Sequence, residues 1–238
     1  MFLTDRKLDR RISEVKNYRY RNALNMKEFV VCEDEQGVVN PEVPVNFDNW
    51  ETIQVGDCWS GRDRYLWMHK EVHIPEEWKG QRVVGVFDFG NTGAGNNSGF
   101  EAMCYINEKP YQGVDVNHKE VFFPEELYGK TFSLTFRLWS GLEGGGVPRP
   151  QEHKIAQADL ACLDEKADDF YYMGTLILDT IKNLEDGNPV KYDLRIALDT
   201  ACHCIDWSYP GSETFYETLH QADAVSYTHL TLPTNSLV

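Results

Sequence analysis

The side chains best suited to hold a metal or to act as acid and base occur in three short clusters. They are Cys202-His203-Cys204, Asp168-Asp169 and Glu76-Glu77. Adjacent residues of a helix or strand point in different directions, so no cluster converges on one point by itself. A structural zinc site needs four ligands, and no second His/Cys cluster follows Cys204. We therefore predict a structural role for the Cys-His-Cys segment and a solvated surface role for the carboxylate pairs.

Three other residues are candidates for contact with a sugar or with a neighbouring domain: Trp139, Glu143 and His118. An indole ring can stack on the C–H face of a sugar or anchor an adjoining domain, and for Trp139 we favour domain packing. Glu143 lies in the Gly/Pro-rich segment that follows. His118 lies beside Asp115 and Glu120, where it either faces another domain or holds a turn, and we favour the turn. No Ser/His/Asp or Cys/His triad can be assembled.

A β region positions Trp139 and His118. The stretch Thr131 to Trp139 alternates apolar and mainly polar residues, which predicts a strand with one face on a core and the other toward water or a neighbour. Further strands are predicted at 65–74, 83–89 and 101–107, the last followed by a turn at Asn107-Glu108-Lys109-Pro110. The glycines of 90–99 lack the Lys-Ser/Thr of a phosphate-binding loop and predict a connection between strands. Strands at short spacing without intervening helices predict an antiparallel β-sandwich, of jelly-roll or galactose-binding-like type.

Helical patterns flank the β region. Leu8, Ile12 and Val15 predict a short amphipathic helix beginning near Thr4. From Ala158 the apolar residues recur every three or four positions as far as Leu184, which predicts a long helix. A second helix should follow Asp186-Gly187-Asn188-Pro189 and pack with the first as a hairpin. Ser212 is a predicted cap for a third helix.

These patterns predict four segments, with the fold class mainly β with α. They are an N-terminal helix and lead-in over 1–26, a β-sandwich domain over 27–148, a helical linker region over 149–224 and a non-native tail over 225–238. The tail from Ser226 to Asn235 is abruptly rich in Thr, Leu and Pro and resembles translated adaptor sequence. We expect it not to continue the third helix, and we expect the native chain to continue after about Ala224.

Composition excludes some classes of function. The net charge of −15 argues against nucleic-acid binding, which needs a basic face. The basic residues near the start, such as Arg6 and Arg10, indicate a solvated helix face or a seam against an acidic neighbour. No export signal or membrane-spanning stretch is visible, and the six scattered cysteines are typical of reduced thiols, so a cytoplasmic location is expected.

Several short motifs resemble the N-terminal region of bacterial α-mannosidases, closest to the cytosolic/vacuolar-type branch of glycoside hydrolase family 38. They are Trp59-x-Gly61-x-Asp63, Val72-x-Ile74-Pro75, and Tyr105-x-Asn107-x-x-Pro110-x-Gln112-Gly113-x-Asp115-x-Asn117-His118-x-Glu120-Val121. The helical segment with Ala158-Asp159-Leu160 resembles the linker of those enzymes. The resemblance spans roughly residues 1–224.

The resemblance implies a non-catalytic part of a retaining, metal-dependent enzyme that hydrolyses terminal α-mannosides of oligomannose glycans. The expected partners are the missing catalytic domain of the same chain, mannose-containing glycans and a further copy in a homo-oligomer. A divalent metal, usually zinc, is expected in the missing domain, together with a His-x-Asp motif. This sequence contains no His-x-Asp, so we assign it no catalytic or metal residue and expect no activity from it alone. The alternative is a free-standing carbohydrate-binding β-sandwich.

Overall fold

The structure of the chain, a computed structural model, describes residues 4–92, 99–142 and 147–231, with the side chains of the last helix described as far as Asp223. The chain divides into two compact units. A sandwich unit comprises Asn22–Cys162. A helical unit combines Met1–Arg21 with Leu163–Val238, so its two parts are separated in sequence by the whole sandwich.

Twelve described strands form the β structure, and all the described strand pairings are antiparallel. Their bounds are β1 Tyr20–Asn25, β2 Glu28–Asp34, β3 Glu51–Gln54, β4 Cys58–Gly61, β5 Tyr65–His73, β6 Arg82–Asp88, β7 Glu101–Ile106, β8 Lys109–Asp115, β9 Glu120–Phe122, β10 Thr131–Trp139, β11 Gln151–Lys154 and β12 Gln157–Leu163. They make a four-stranded sheet in the order β1-β12-β6-β9 and a six-stranded sheet in the order β3-β2-β5-β10-β7-β8, with β11 and β4 forming a separate pair. The predicted antiparallel sandwich is confirmed.

The sandwich core is aromatic, and strand β10 runs through it. Its alternate residues Phe132, Leu134, Phe136 and Leu138 are all fully buried, as the alternation predicted. The Phe136 ring meets that of Phe89 with a centroid separation of 4.9 Å. Burying an aromatic side chain removes about 150–250 Å² from water, so each of these rings contributes strongly to the hydrophobic stabilisation of the sandwich. This inner face fixes the register of β10 and therefore the direction of Trp139 on the opposite face.

The predicted turn after β7 is present but shorter than predicted, because only Asn107 and Glu108 connect the strands and Lys109 and Pro110 belong to β8. Asn107 and Glu108 both have positive φ, 47° and 62°, as a two-residue type I′ hairpin requires. Asn107 tolerates this region and uses its side-chain oxygen to accept a hydrogen bond from the Ser133 N–H at 3.1 Å. Among the described residues, Glu108 makes no such side-chain hydrogen bond, so its positive φ makes it the strained residue of the turn.

The prediction of helix from Ala158 is wrong for its first residues, as is the prediction that the β region ends before residue 149. Strands β11 and β12 occupy 151–154 and 157–163. Ala158, Leu160 and Cys162 are buried at a spacing of two, which is the period of a strand. The helical prediction arose because Leu160 and Leu163 are three residues apart and continue into the spacing of the helix beyond. The helix begins only after Asp164, whose side chain accepts a hydrogen bond from the Ala167 N–H.

The described part of the other unit contains four α-helices: α1 Thr4–Val15, α2 Glu165–Asn183, α3 Pro189–Cys204 and α4 Glu213–Thr231. Leu8, Ile12 and Val15 of α1 are buried, as predicted. Gly174 of α2 allows close packing, because a Cβ there would lie 2.3 Å from the Ile12 side chain. The sequence places Val190 and Ala201 on one buried face of α3, but Val190 is exposed and Ala201 is buried. None of the described helices is long and apolar enough to cross a membrane.

The third predicted helix is α4, and Ser212 caps it by accepting a hydrogen bond from the Phe215 N–H at 3.2 Å. The expectation that the segment from Ser226 would not continue this helix is wrong, since α4 runs to Thr231. No proline occurs between the start of α4 at Glu213 and Pro233, and Ser and Thr cost a helix only a few tenths of a kcal/mol each relative to better helix formers. Residues 232–238 lie outside the described part of the chain.

Candidate functional site

The candidate site lies on the outer face of the six-stranded sheet, opposite the apolar core. Strand register places Tyr65 beside Trp139 and places Glu101 on the other side of Trp139. One row further along the strands, Trp67 lies beside Arg137. This face therefore carries aromatic rings together with charged groups, the combination that recognises sugars and that also anchors neighbouring domains.

Trp139 is half-buried, and a hydrogen bond at one edge of its indole ring fixes its orientation. Its indole N–H donates to Asp63 Oδ1 at 2.9 Å. Asp63 lies in a turn with φ of 55°, and its backbone N–H donates to Gly141 O at 3.0 Å. The hydroxyl of Ser140 fixes the same turn by accepting a hydrogen bond from the Arg64 N–H. The indole is thus fixed in orientation before any ligand or domain contacts it.

His118 holds a turn, the interpretation that the sequence favoured. The Asp115 carboxylate accepts hydrogen bonds from the backbone N–H of Asn117 and of His118, and His118 Nδ1 lies 3.0 Å from both carboxylate oxygens. Burial opposes ionisation of Asp115, but the hydrogen bonds from His118 and from the backbone outweigh it, so the pKa of Asp115 lies below its ordinary value. The His118 ring itself is mostly exposed.

Asp115 pairs with Glu101, and Glu101 pairs with Trp139, so the three residues form one row across β8, β7 and β10. Two strand spacings separate Trp139 from Asp115, a distance of about 10 Å. The structure therefore brings Trp139 and the His118 turn to the same end of the same face. Glu143, the third candidate, lies outside the described residues.

An ion pair at the centre of this face was not found from the sequence. Arg137 donates from Nε and Nη2 to Asp34 Oδ2 at 2.9 and 2.6 Å, and both side chains are largely buried. The guanidinium also lies 4.2 Å from the centroid of the Tyr65 ring. The only signal in the sequence was an arginine on the polar side of a strand, because Asp34 is 103 residues away.

Two buried histidines were also missed. His69 contacts Thr135 Oγ1 at 3.0 Å on the outer face, and burial lowers its pKa to about 4. His153 stacks on Trp59 at 4.2 Å, and its Nε2 lies 2.8 Å from Ser140 O. Burial also lowers the pKa of His153, although the carbonyls that it contacts oppose this. Both histidines are neutral at pH 7 and act as fixed structural contacts.

The clusters with possible metal or acid–base chemistry do not converge. Cys202 is buried, and burial raises its pKa to about 12, whereas His203 and Cys204 are exposed. Asp168 accepts a hydrogen bond from Arg19 Nε at 2.6 Å, and Asp169 faces solvent. Within residues 4–92, 99–142 and 147–231, no group of three His, Cys, Asp or Glu side chains is arranged to hold a metal.

Comparison with known families matches the sandwich. Residues 29–135 match the family described as "Alpha-mannosidase, jelly roll domain". That segment begins in β2 and ends in β10, so it includes Asp34 but stops before Arg137 and Trp139. The sandwich is a jelly-roll domain of the kind associated with glycosidases. No curated protein sequence matched the chain.

Solved structures with a similar arrangement of strands include β-glucuronidases of three bacteria. The Faecalibacterium prausnitzii enzyme has a TM-score of 0.39 and 16% identity, over 60% of this chain and 32% of that one. The enzyme of an uncultured Clostridium has a TM-score of 0.41 and 15% identity over 60% and 29%. The Bacteroides uniformis enzyme has a TM-score of 0.42 and 12% identity over 59% and 18%. The matched part is less than a third of each enzyme's length, and identities this low concern the fold alone.

Proposed function

We propose that this chain is the non-catalytic N-terminal part of an α-mannosidase that removes terminal α-mannosides from oligomannose glycans. The match of residues 29–135 to an α-mannosidase jelly-roll domain carries the proposal. The motifs that resemble family 38 support it, since Trp59 to Asp63 and Asp115 to Val121 both lie in the strands β4, β8 and β9 of the sandwich or directly next to them. The helical unit supports it as well, because a free-standing binding module has little need of four further helices.

In this proposal the chemistry belongs to a domain outside the sequence. A divalent metal, zinc, and a His-x-Asp motif would be supplied there, and the metal would organise sugar hydroxyls for a retaining double displacement. The role of this chain is to support that domain and to present the Trp139 face to it. A cytoplasmic location and assembly into a homo-oligomer are parts of the same proposal.

The test is to sequence the source DNA beyond the codon for Ala224 and to express the extended reading frame. The extended protein should hydrolyse an aryl α-mannoside in the presence of zinc, and the chain of 238 residues should not. Turnover by the 238-residue chain alone, with host enzyme excluded, would overturn the proposal. So would an extended frame that encodes no catalytic domain.

A second candidate function is carbohydrate binding by the sandwich itself. The observation that favours it is the fixed, half-exposed indole of Trp139, with the carboxylates of Asp63 and Glu101 close by. An indole ring offers the apolar surface on which the C–H face of a pyranose stacks. A Trp139→Ala variant should then lose glycan binding while its unfolding temperature changes little.

A further inference from the structure

The basic residues near the start of the chain share one side of α1. An open cavity of about 560 Å³ is lined by Arg6, Lys7, Arg10 and Arg11, together with Glu14. Side chains three or four residues apart on a helix are neighbours, so the four cations form one continuous surface, the basic face. The sequence allowed two interpretations of these residues, a solvated helix face and a seam against an acidic neighbour.

The charges of α1 are compensated unequally. The acidic Asp5 is paired within the helical unit, because Arg195 donates to its carboxylate from Nε and Nη2 at 2.7 and 2.8 Å. Arg6 and Arg10 on the basic face are exposed, and among the described residues neither has an ion-pair partner. The basic face thus holds two uncompensated positive charges in a chain whose net charge is −15.

A strap, defined as residues 35–50, has the opposite charge. It belongs to the sandwich unit, connects β2 to β3 and contains no helix or strand. The strap includes no Lys or Arg, whereas Glu35, Glu42 and Asp48 are exposed. Within the described part of the chain, none of these three carboxylates has an ion-pair partner. Loops of this length without regular structure are uncommon in compact domains and often bind another molecule.

The strap is anchored on one side and exposed on the other. The Phe47 ring stacks on the His69 ring of β5, with centroids 3.5 Å apart and planes within 6°. Val39 and Val45 are 88% and 74% exposed. An anchored segment loses less conformational freedom on binding than a free one. The strap therefore presents apolar side chains and carboxylates on a segment that is already held in place.

The basic face also has apolar side chains next to it. Lys7 Nζ lies 3.4 Å from Asp199 Oδ1 on α3, and Ile196, one turn earlier on α3, is 55% exposed. The Arg11 guanidinium lies over the Trp207 ring, 4.2 Å from its centroid. The basic face and the strap thus each combine charge of one sign with accessible apolar groups, and the two signs are opposite.

We propose that the basic face of α1 binds the strap of a second copy of this chain, with Arg6 and Arg10 paired to strap carboxylates and Ile196 against strap valines. The net charges of two copies repel, but the Debye length at 0.15 M salt is about 8 Å, so only the groups that face each other interact strongly. Of the proposed function, this inference rests only on assembly into a homo-oligomer and not on the mannosidase assignment.

The experiment measures self-association of the 238-residue chain by analytical ultracentrifugation at 0.15 M salt. One variant, Arg6→Glu with Arg10→Glu, reverses the basic face. The other, Glu42→Lys with Asp48→Lys, reverses the strap. Each variant alone should associate about tenfold more weakly than wild type, or more weakly still, because like charges then face each other. An equimolar mixture of the two should recover the affinity of wild type, since opposite charges face each other again.

The matched control is Lys109→Glu with Lys130→Glu, two exposed residues of the sandwich unit, which changes the net charge as much as the α1 variant does. It should associate like wild type, and equal weakening by the control would overturn the proposal, because net charge alone would explain it. A wild type that is monomeric at about 0.1 mM, where even a Kd of that size is visible, would also overturn it.

The mixture gives the sharpest outcome. If the mixed variants associate no better than either variant alone, the basic face and the strap do not bind each other and the proposal is wrong. If a reversed variant does not fold, Arg6→Gln with Arg10→Gln replaces it, and association as strong as that of the control would contradict the proposal. The mannosidase assignment is tested separately, because it is measured by turnover.

Discussion

The two faces of the six-stranded sheet bury side chains to similar depth by different means. On the inner face, Phe136 and its neighbours on β10 pack among aromatic rings and need no hydrogen-bond partners. On the outer face, burial of Trp67 accompanies an ion pair and a neutral histidine. Stability from the first face should therefore be insensitive to charge and pH, whereas stability from the second should depend on both. Substitutions on each face can test this difference.

The largest effect should come from the inner face. Phe136→Ala should lower the free energy of unfolding by about 3–5 kcal/mol, because it removes a fully buried ring and leaves a cavity among neighbours that cannot collapse. Denaturant unfolding at pH 5 and at pH 8 should give the same loss. A loss that differs between the two pH values would contradict the view that this face is independent of charge.

Removing one half of the outer ion pair should cost somewhat less. Arg137→Met leaves the buried Asp34 carboxylate without its partner, and we expect a loss of about 3 kcal/mol. The matched double variant, Asp34→Asn with Arg137→Met, should recover most of that loss, since no charge is then left unpaired. Additive losses in the two single variants would show that the pair is not coupled.

Acid should weaken the outer face through His69. Its pKa is about 4 in the folded protein against about 6.5 unfolded, so below pH 6.5 the unfolded state binds more protons. Stability should fall as pH drops from 6.5 toward 4, by about 2 kcal/mol at pH 5. In His69→Gln the dependence of the free energy of unfolding on pH should become weaker, and only the part due to other groups, His153 among them, should remain. An unchanged dependence on pH would contradict the role given to His69.

The smallest change tests the hairpin turn, which belongs to neither face. Glu108→Gly should stabilise the protein by about 0.5–1 kcal/mol, because glycine adopts a φ of 62° without strain. The gain should be the same at pH 5 and pH 8. Asn107→Ala is the matched control and should destabilise, since it removes the bond to Ser133 N.

The inner face could be predicted from the sequence because its signal is local. The four apolar residues at even positions of β10 are all buried, and that alternation also gives the direction of Trp139. The signal for a turn at Asn107 is equally local, although the sequence analysis did not predict its type I′ conformation. The outer face could not be predicted, because Arg137 and Asp34, or Phe47 and His69, are far apart in the chain and only the strand order brings them together.

Element ends were predicted less well, for a related reason. The buried residues from Gln157 to Leu163 follow the period of a strand, but Leu160 and Leu163 also continue into the spacing of the helix beyond, and pairing with neighbouring strands decides between the two. Near the C-terminal end of α4, the change in composition at Ser226 predicts the end of the helix, and the structure shows no end there. A helix can continue through mediocre residues when nothing breaks it, and α4 does so to Thr231.

The division of the helical unit into two sequence segments has a consequence for synthesis on the ribosome. Helix α1 emerges first with the apolar side chains of Leu8, Ile12 and Val15, but α2, against which it packs, begins about 150 residues later. At ordinary rates of translation this delay is roughly 10 to 30 s. During that time the sandwich can fold, while the apolar face of α1 stays exposed to solvent and is available for binding by a chaperone.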